Sequence, residues 1–94
     1  MKAWLGLKVK VKYLMWLRDK TGIDQEELEL EDNVTLEYLV EKIKELRPSL
    51  KKFIDKVFDR ENPMIILVNG VKAEPKQKLS DRDEIVFLPP VSGG

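Results

Sequence analysis

Alternation of apolar and charged residues opens the pattern of this chain. In LKVKVKY, Leu7, Val9, Val11 and Tyr13 face one way and Lys8, Lys10 and Lys12 the other, the period of two that marks a half-buried strand. LMWLRDKTG reads as a short helix closed by Gly22. EELELED alternates again, with Leu28 and Leu30 inward and Glu27, Glu29 and Glu31 outward. The two strands read as an antiparallel pair whose outer rows match lysine with glutamate. The period then changes. Thr35 caps LEYLVEKIKELR, where Leu36, Leu39, Val40, Ile43 and Leu46 recur at helical spacing. That helix is about 18 Å long at 1.5 Å per residue and must stop by Pro48, whose ring disfavours helix in the residue before it. LKKFIDKVFDR carries Leu50, Phe53, Ile54, Val57 and Phe58 at helical spacing and predicts a second short helix. MIILVNG is a nearly continuous apolar run ending in the Asn-Gly turn signal, as suits a strand covered on at least one face. VKAEPKQKLSDRD is connecting structure, punctuated by Pro75 and the cluster from Ser80 to Asp83. EIVFLPP is a last strand that ends at Pro89, because proline cannot continue a ladder.

The order β–α–β–α–(α)–β–(β)–β predicts an α+β fold, one mixed sheet packed on one main helix. With no repeat, linker or low-complexity segment, residues 1–94 read as a single domain, with 89–94 as a projecting C-terminal tail. A chain of 94 residues, 43% of them hydrophobic, makes one core but no deep catalytic cleft. Lys+Arg and Asp+Glu both number 17, so bulk charge points to no nucleic-acid or membrane-surface partner. No apolar run approaches the ~20 residues that span a bilayer, and lysines interrupt MKAWLGLKVKVK too early for a signal-peptide core. The expectation is a cytoplasmic protein.

The chain has neither Cys nor His, which removes disulfides, thiolate nucleophiles, histidine bases and nearly all zinc sites. It also lacks GxxxxGK[ST] and GxGxxG loops, so nucleotide binding has no support, and no bound cofactor is expected. The acidic stretch from Asp24 to Asp32 reads as a solvated strand face, Asp81, Asp83 and Glu84 as a turn rather than a cation site, and Lys8, Lys10 and Lys12 as plain strand surface. Trp4, Tyr13, Trp16, Phe53 and Phe58 read as packing residues.

The unusual feature is the end, FLPPVSGG. If Ile85 and Phe87 face the core, Val86 and Leu88 face outward. Ile66 and Val68 inward put Leu67 outward, and Leu14 continues the outward row of the first strand. With the first, third and last strands as neighbours, Leu14, Leu67, Val86 and Leu88 form one apolar patch. Such a patch marks a partner site unless a helix of the same chain covers it. Pro89 and Pro90 pre-set an extended segment at ~3.1 Å per residue, so the last residues, Pro89 to Gly94, reach roughly 19 Å from the domain. Val91 can anchor in an apolar groove, and Ser92 is small and polar. Gly93 and Gly94 lack a Cβ and fit a channel too narrow for other residues. A terminal carboxylate is ionised at neutral pH and a poor electrophile. A mixed anhydride with AMP gives it a leaving group that a sulfur donor can displace, leaving a thiocarboxylate, with no side-chain nucleophile needed on the carrier.

These residues resemble the MoaD family, the small subunits of molybdopterin synthase and sulfur carriers of the MoaD/ThiS superfamily. DRDEIVFLPPVSGG is similar to the family's C-terminal signature, VKVKYLMWLRDKTG to its opening strand and helix, VTLEYLVEKIKELRPSL to its main helix and ILVNG to its middle strand. The resemblance implies a β-grasp, ubiquitin-like fold. It implies that a MoeB-like, ubiquitin-activating-type enzyme adenylates Gly94 with ATP, and that the thiocarboxylate formed there enters a MoaE-like large subunit. There it would donate sulfur to the pterin precursor of the molybdenum or tungsten cofactor, in a complex expected to be a heterotetramer. Leu14 and Leu88 match positions of the family's apolar contact surface. Lys72 falls where the family can carry an apolar residue. Arg82 replaces a usual turn glycine, which should change only local turn geometry, and MKAWLGL extends beyond the usual start. On this reading the chain is not an enzyme alone. Two alternatives use the same tail: a protein modifier joined to lysines through Gly94, and a ThiS-like carrier for thiamine synthesis, although ThiS chains lack the Pro-Pro-Val run.

Overall fold

The computed structural model describes residues 6–54 and 64–89. The strands β1 Gly6–Tyr13, β2 Gln25–Glu31, β3 Ile65–Val68 and β5 Glu84–Leu88 form where the pattern predicts them, and the two-residue β4 Val71–Lys72 opens the stretch that reads as connecting structure. They make one mixed sheet in the order β2-β1-β5-β3-β4. β1 and β2 are antiparallel, and so are β3 and its two neighbours, whereas β1 and β5 run parallel. The tail-bearing strand β5 is therefore central, between the first strand and β3, as the apolar patch requires.

Local chemistry explains each break between elements. Helix α1, Trp16–Thr21, ends on Gly22 at φ 80°, whose amide donates to the Arg18 carbonyl. The β3–β4 hairpin turns on Asn69 and Gly70, at φ 53° and 85°, the paired positive φ that favours Asn-Gly in tight hairpins. Helix α2, Leu36–Leu46, begins at Thr35, whose Oγ1 accepts the Tyr38 amide at 3.3 Å. The Leu36 and Glu37 amides donate to the carbonyls of Gln77 and Pro75, so the connecting segment satisfies donors that a helix start otherwise leaves open. Pro48 opens a 3-10 turn, Pro48–Leu50, which runs into the short helix α3, Lys51–Ile54. Val57 and Phe58, expected on that second helix, lie outside the described residues, as does Trp4.

The core lies between the inner face of the sheet and α2. Val9, Val11, Ile85 and Phe87 meet Leu36, Leu39 and Ile43, and Leu17, Leu50 and Ile54 close it, all essentially solvent-free. Burying one such side chain contributes about 1.5–3 kcal/mol.

Two expectations are corrected. Leu46 is 49% exposed rather than part of the core; at 100° per residue it lies about 70° from the centre of the buried stripe. Pro89 is buried, so it belongs to the packed body and not to a projecting tail. The alternation that turns Ile85 and Phe87 inward continues one residue past the strand. Arg82, in the turn before β5, adopts the left-handed φ of 71° that a glycine enters freely, and its amide donates to the Lys8 carbonyl at 2.8 Å.

Candidate functional site

The outer face of the sheet near the end of β5 is built by register. Leu67 lies opposite Val86 and Ile65 opposite Leu88 across β3 and β5; all four are half-buried on the face away from α2. Lys12 lies opposite Val86 on the other flank, and Lys72 lies opposite Leu67. One row across four strands thus reads Lys12, Val86, Leu67, Lys72. The next row towards the tail, Leu88 and Ile65, is apolar. Leu14 joins it just past β1: its amide donates to the Phe87 carbonyl at 3.3 Å, and its side chain is 37% exposed. The structure thus brings Leu14, Leu67, Val86 and Leu88 together at one end of one face. It adds Ile65, which sequence reasoning missed because an unbroken apolar run shows no parity by itself. Pro89 does not reach this face. Pro90, Val91, Ser92, Gly93 and Gly94 lie outside the described residues.

Beneath the tail base is a polar network. The Tyr13 ring packs against Phe87, centroids 6.0 Å apart, and its hydroxyl donates to Glu26 Oε2 at 2.5 Å. Arg47, at the C-terminal end of α2, grips the same carboxylate with Nε at 3.2 Å and Nη2 at 2.8 Å. Burial first, then the hydrogen bond to Glu26, pushes the Tyr13 hydroxyl well above the ordinary phenol range. For Glu26, burial opposes ionisation, but the hydrogen bonds from Arg47 and Tyr13 outweigh it and hold the carboxyl below its ordinary value. The Glu26 hydrogen bond in turn raises Arg47. The network thus stays ionic around neutral pH and joins β1, β2 and α2 under the strand that carries the tail. The available signal was parity: Glu26 shares the inner row of Leu28 and Leu30.

The remaining charged candidates do structural work. Asp83 accepts from Asn69 Nδ2 and the Ser80 amide, both at 2.8 Å. Asp81 accepts the Lys8 amide at 2.8 Å, and Glu84 pairs with Lys12 at 3.2 Å. Among the described residues no group of His, Cys, Asp and Glu is arranged to hold a metal ion, and no helix is long and apolar enough to cross a membrane.

Comparison with known proteins places this geometry. The sequence profile of the ThiS family matches residues 11–94. The chain belongs to the ThiS family. Its fold is the ubiquitin-like β-grasp. Within this ThiS-family setting, it is 28% identical over 90 residues to the molybdopterin synthase sulfur carrier subunit of Chlamydomonas reinhardtii, an alignment covering 94% of this chain and 100% of that one. A putative molybdopterin converting factor, subunit 1, from Pyrococcus furiosus superposes with a TM-score of 0.78 at 32% identity, covering 90% of this chain and 99% of the other. The small archaeal modifier protein 1 of Methanosarcina acetivorans superposes with a TM-score of 0.72 at 28% identity, covering 95% and 98%. The MoaD resemblance read from the tail motif thus extends over the body of the chain.

Proposed function

We propose that this protein is a sulfur carrier and the small subunit of a molybdopterin synthase, working through a thiocarboxylate on Gly94. The observation that carries this reading is the family match, which runs through the terminal Gly-Gly in a chain whose relatives include a molybdopterin synthase sulfur carrier subunit. A carboxylate oxygen of Gly94 attacks the α-phosphorus of ATP on a MoeB-like enzyme, and pyrophosphate leaves. Sulfide then attacks the acyl carbon and AMP leaves, which places sulfur at the C-terminus. In a MoaE-like large subunit that sulfur attacks a side-chain carbon of the pterin precursor and the oxygen substituent on that carbon leaves; water then cleaves the acyl–sulfur bond, restoring the carboxylate and leaving the sulfur on the pterin. The apolar row of Leu14, Leu88, Ile65, Leu67 and Val86 at the base of the tail supplies the docking surface, because each partner must stand there while the tail is in its channel. The protein acts in the cytoplasm, and Pro90, Val91 and Ser92 contact the walls of the partner's channel as the C-terminus enters it.

Incubation with the activating enzyme, ATP and sulfide tests this by intact mass. The expected gain is about 16 Da, one oxygen exchanged for sulfur at the activated acyl group. A chain lacking Gly93 and Gly94 should fold normally and gain nothing; an unchanged mass for the full chain sinks the reading. The similarity to a small archaeal modifier protein favours a second use of the same adenylate, in which a lysine amine attacks in place of sulfide. Peptides bearing a Gly-Gly remnant on lysine, found in lysate of the native host, would establish it. The thiamine-carrier alternative predicts instead that the loaded protein passes its sulfur to a thiazole-forming enzyme.

A further inference from the structure

We propose that the open edge of β2 is a second docking site, which takes an extended protein segment alternating lysine or arginine with aliphatic residues. The proposal stands apart from the sulfur-carrier reading. β2 borders the sheet beside β1, and β1 fixes the direction of its backbone. The Lys8 carbonyl and Lys10 amide turn towards β5, bonding the Arg82 amide at 2.8 Å and the Asp83 carbonyl at 3.0 Å. The Tyr13 amide turns the other way, to the Asp24 carbonyl at 2.8 Å. Alternation therefore points the backbone groups of Glu26, Leu28 and Leu30 at β1 and those of Gln25, Glu27, Glu29 and Glu31 outward. Among the described residues these four meet no other backbone group. An open row of this kind is matched by another extended backbone.

Side chains along the same edge name the occupant. On the inner side α2 runs beside β2: the Tyr38 hydroxyl donates to Glu31 Oε1 at 3.5 Å, and Arg47 Nη2 to Glu26 Oε1 at 2.8 Å, one near each end of the strand. Steps of four carry Tyr38, Lys42 and Leu46 along one flank of α2, where Tyr38 and Leu46 are 37% and 49% exposed. Leu28, on the inner row of β2, is half-buried. The inward residues of a further strand would cover this apolar surface. On the outer face Glu27 and Glu29 stand opposite Lys10 and Lys8 of β1 and have no strand on their other flank. β1 itself thus shows what pairs with β2: LKVKVKY sets lysines against the glutamates and valines on the inner row. The open flank presents the same side chains and fits the same alternation. A second copy pairing β2 with β2 would bring glutamate rows together, and like charges directly opposed across strands are destabilising. The row therefore discourages self-pairing and selects a basic segment. Because β1 separates β2 from β5, the occupant leaves the tail base uncovered.

A labelled peptide of the β1 sequence, LKVKVKY, added to the full chain tests the proposal by fluorescence anisotropy and amide hydrogen exchange. Binding should slow exchange at Gln25, Glu27, Glu29 and Glu31 and leave Glu26, Leu28 and Leu30, already bonded to β1, unchanged. The same peptide with its lysines replaced by glutamate should bind at least about ten-fold more weakly. So should the peptide N-methylated at its lysine backbone nitrogens, which keeps the charge and loses the bonding amides. Glu27→Lys combined with Glu29→Lys should reverse the preference between the basic and acidic peptides, and Leu46→Ser should weaken the basic one about three-fold. The three peptides on the unaltered chain decide the matter even where a variant fails to fold. Equal binding of the basic and acidic peptides, slowed exchange elsewhere than at the four outward amides, or no binding overturns the proposal. Sulfur loading at Gly94 is measured separately, so the carrier reading stands or falls on its own.

Discussion

The outer face of the sheet is two surfaces joined along β1. On the β1–β2 side Lys8 stands opposite Glu29 and Lys10 opposite Glu27, as the sequence predicts. Lys12 departs from that pattern: it lies opposite Gln25 and reaches Glu84 of β5 instead. On the β5–β3 side the same outward positions hold Val86, Leu88, Ile65 and Leu67. Both halves share one twist, one core and one solvent. The charged half is complete as it stands, since exposed cross-strand pairs need only water around them. The apolar half keeps hydrophobic area half-exposed on the face away from α2 at the end of β5, the kind of contiguous patch that marks an interaction surface.

The largest effect should come from crossing to the inner face of that apolar half. Ile85→Ala empties a fully buried site and should cost about 2–5 kcal/mol in chemical denaturation. One residue further along, Val86→Lys makes the outer row charged like its neighbour. Its own stability should shift by less than about 1 kcal/mol, whereas capture of the large subunit should fall about ten-fold or more, roughly 1.4 kcal/mol. Equal losses in both measurements would erase the distinction between the halves. Smaller again is Glu26→Gln, which should cost about 1 kcal/mol at neutral pH by weakening the hydrogen bonds from Arg47 and Tyr13. Because the folded Glu26 carboxyl lies below its ordinary value of 4.5, its contribution is full above that value and is lost as pH falls through the lowered one. The parent protein should therefore lose stability on acidification more steeply than the Gln variant, as melting curves across pH would record. Smallest is Lys10→Ala on the charged half, expected to change stability by less than about 0.5 kcal/mol.

What the sequence made legible follows from periodicity. Strict alternation in β1 and β2 fixed which residues point inward, the Asn69–Gly70 signal marked the end of β3, and the Thr35 cap marked the start of α2. Parity also carried Val86, Leu67 and Leu88 to one face. It was silent where a run is apolar throughout, which hid Ile65, and it gave no warning that alternation would continue past β5 and bury Pro89. Glu26 lay hidden in the acidic stretch that reads as a solvated face, a reading the structure corrects by pairing it with buried Val11; its meaning needed Arg47, which lies 21 residues away in sequence and comes near because α2 packs back across the sheet. The positive φ of Met15, 57°, has no signature in residue order, since nothing in LMWLR requires it.

The position of β5 has a mechanical side. A strand at the border of a sheet, tugged from its end, can peel away one bond at a time. β5 is gripped on both flanks, by β1 running alongside and by β3 running against it, so a pull along its axis loads both ladders in shear and must break many bonds together. A load applied beyond Leu88 is therefore shared between two neighbouring strands, and the globule behind it does not unravel strand by strand.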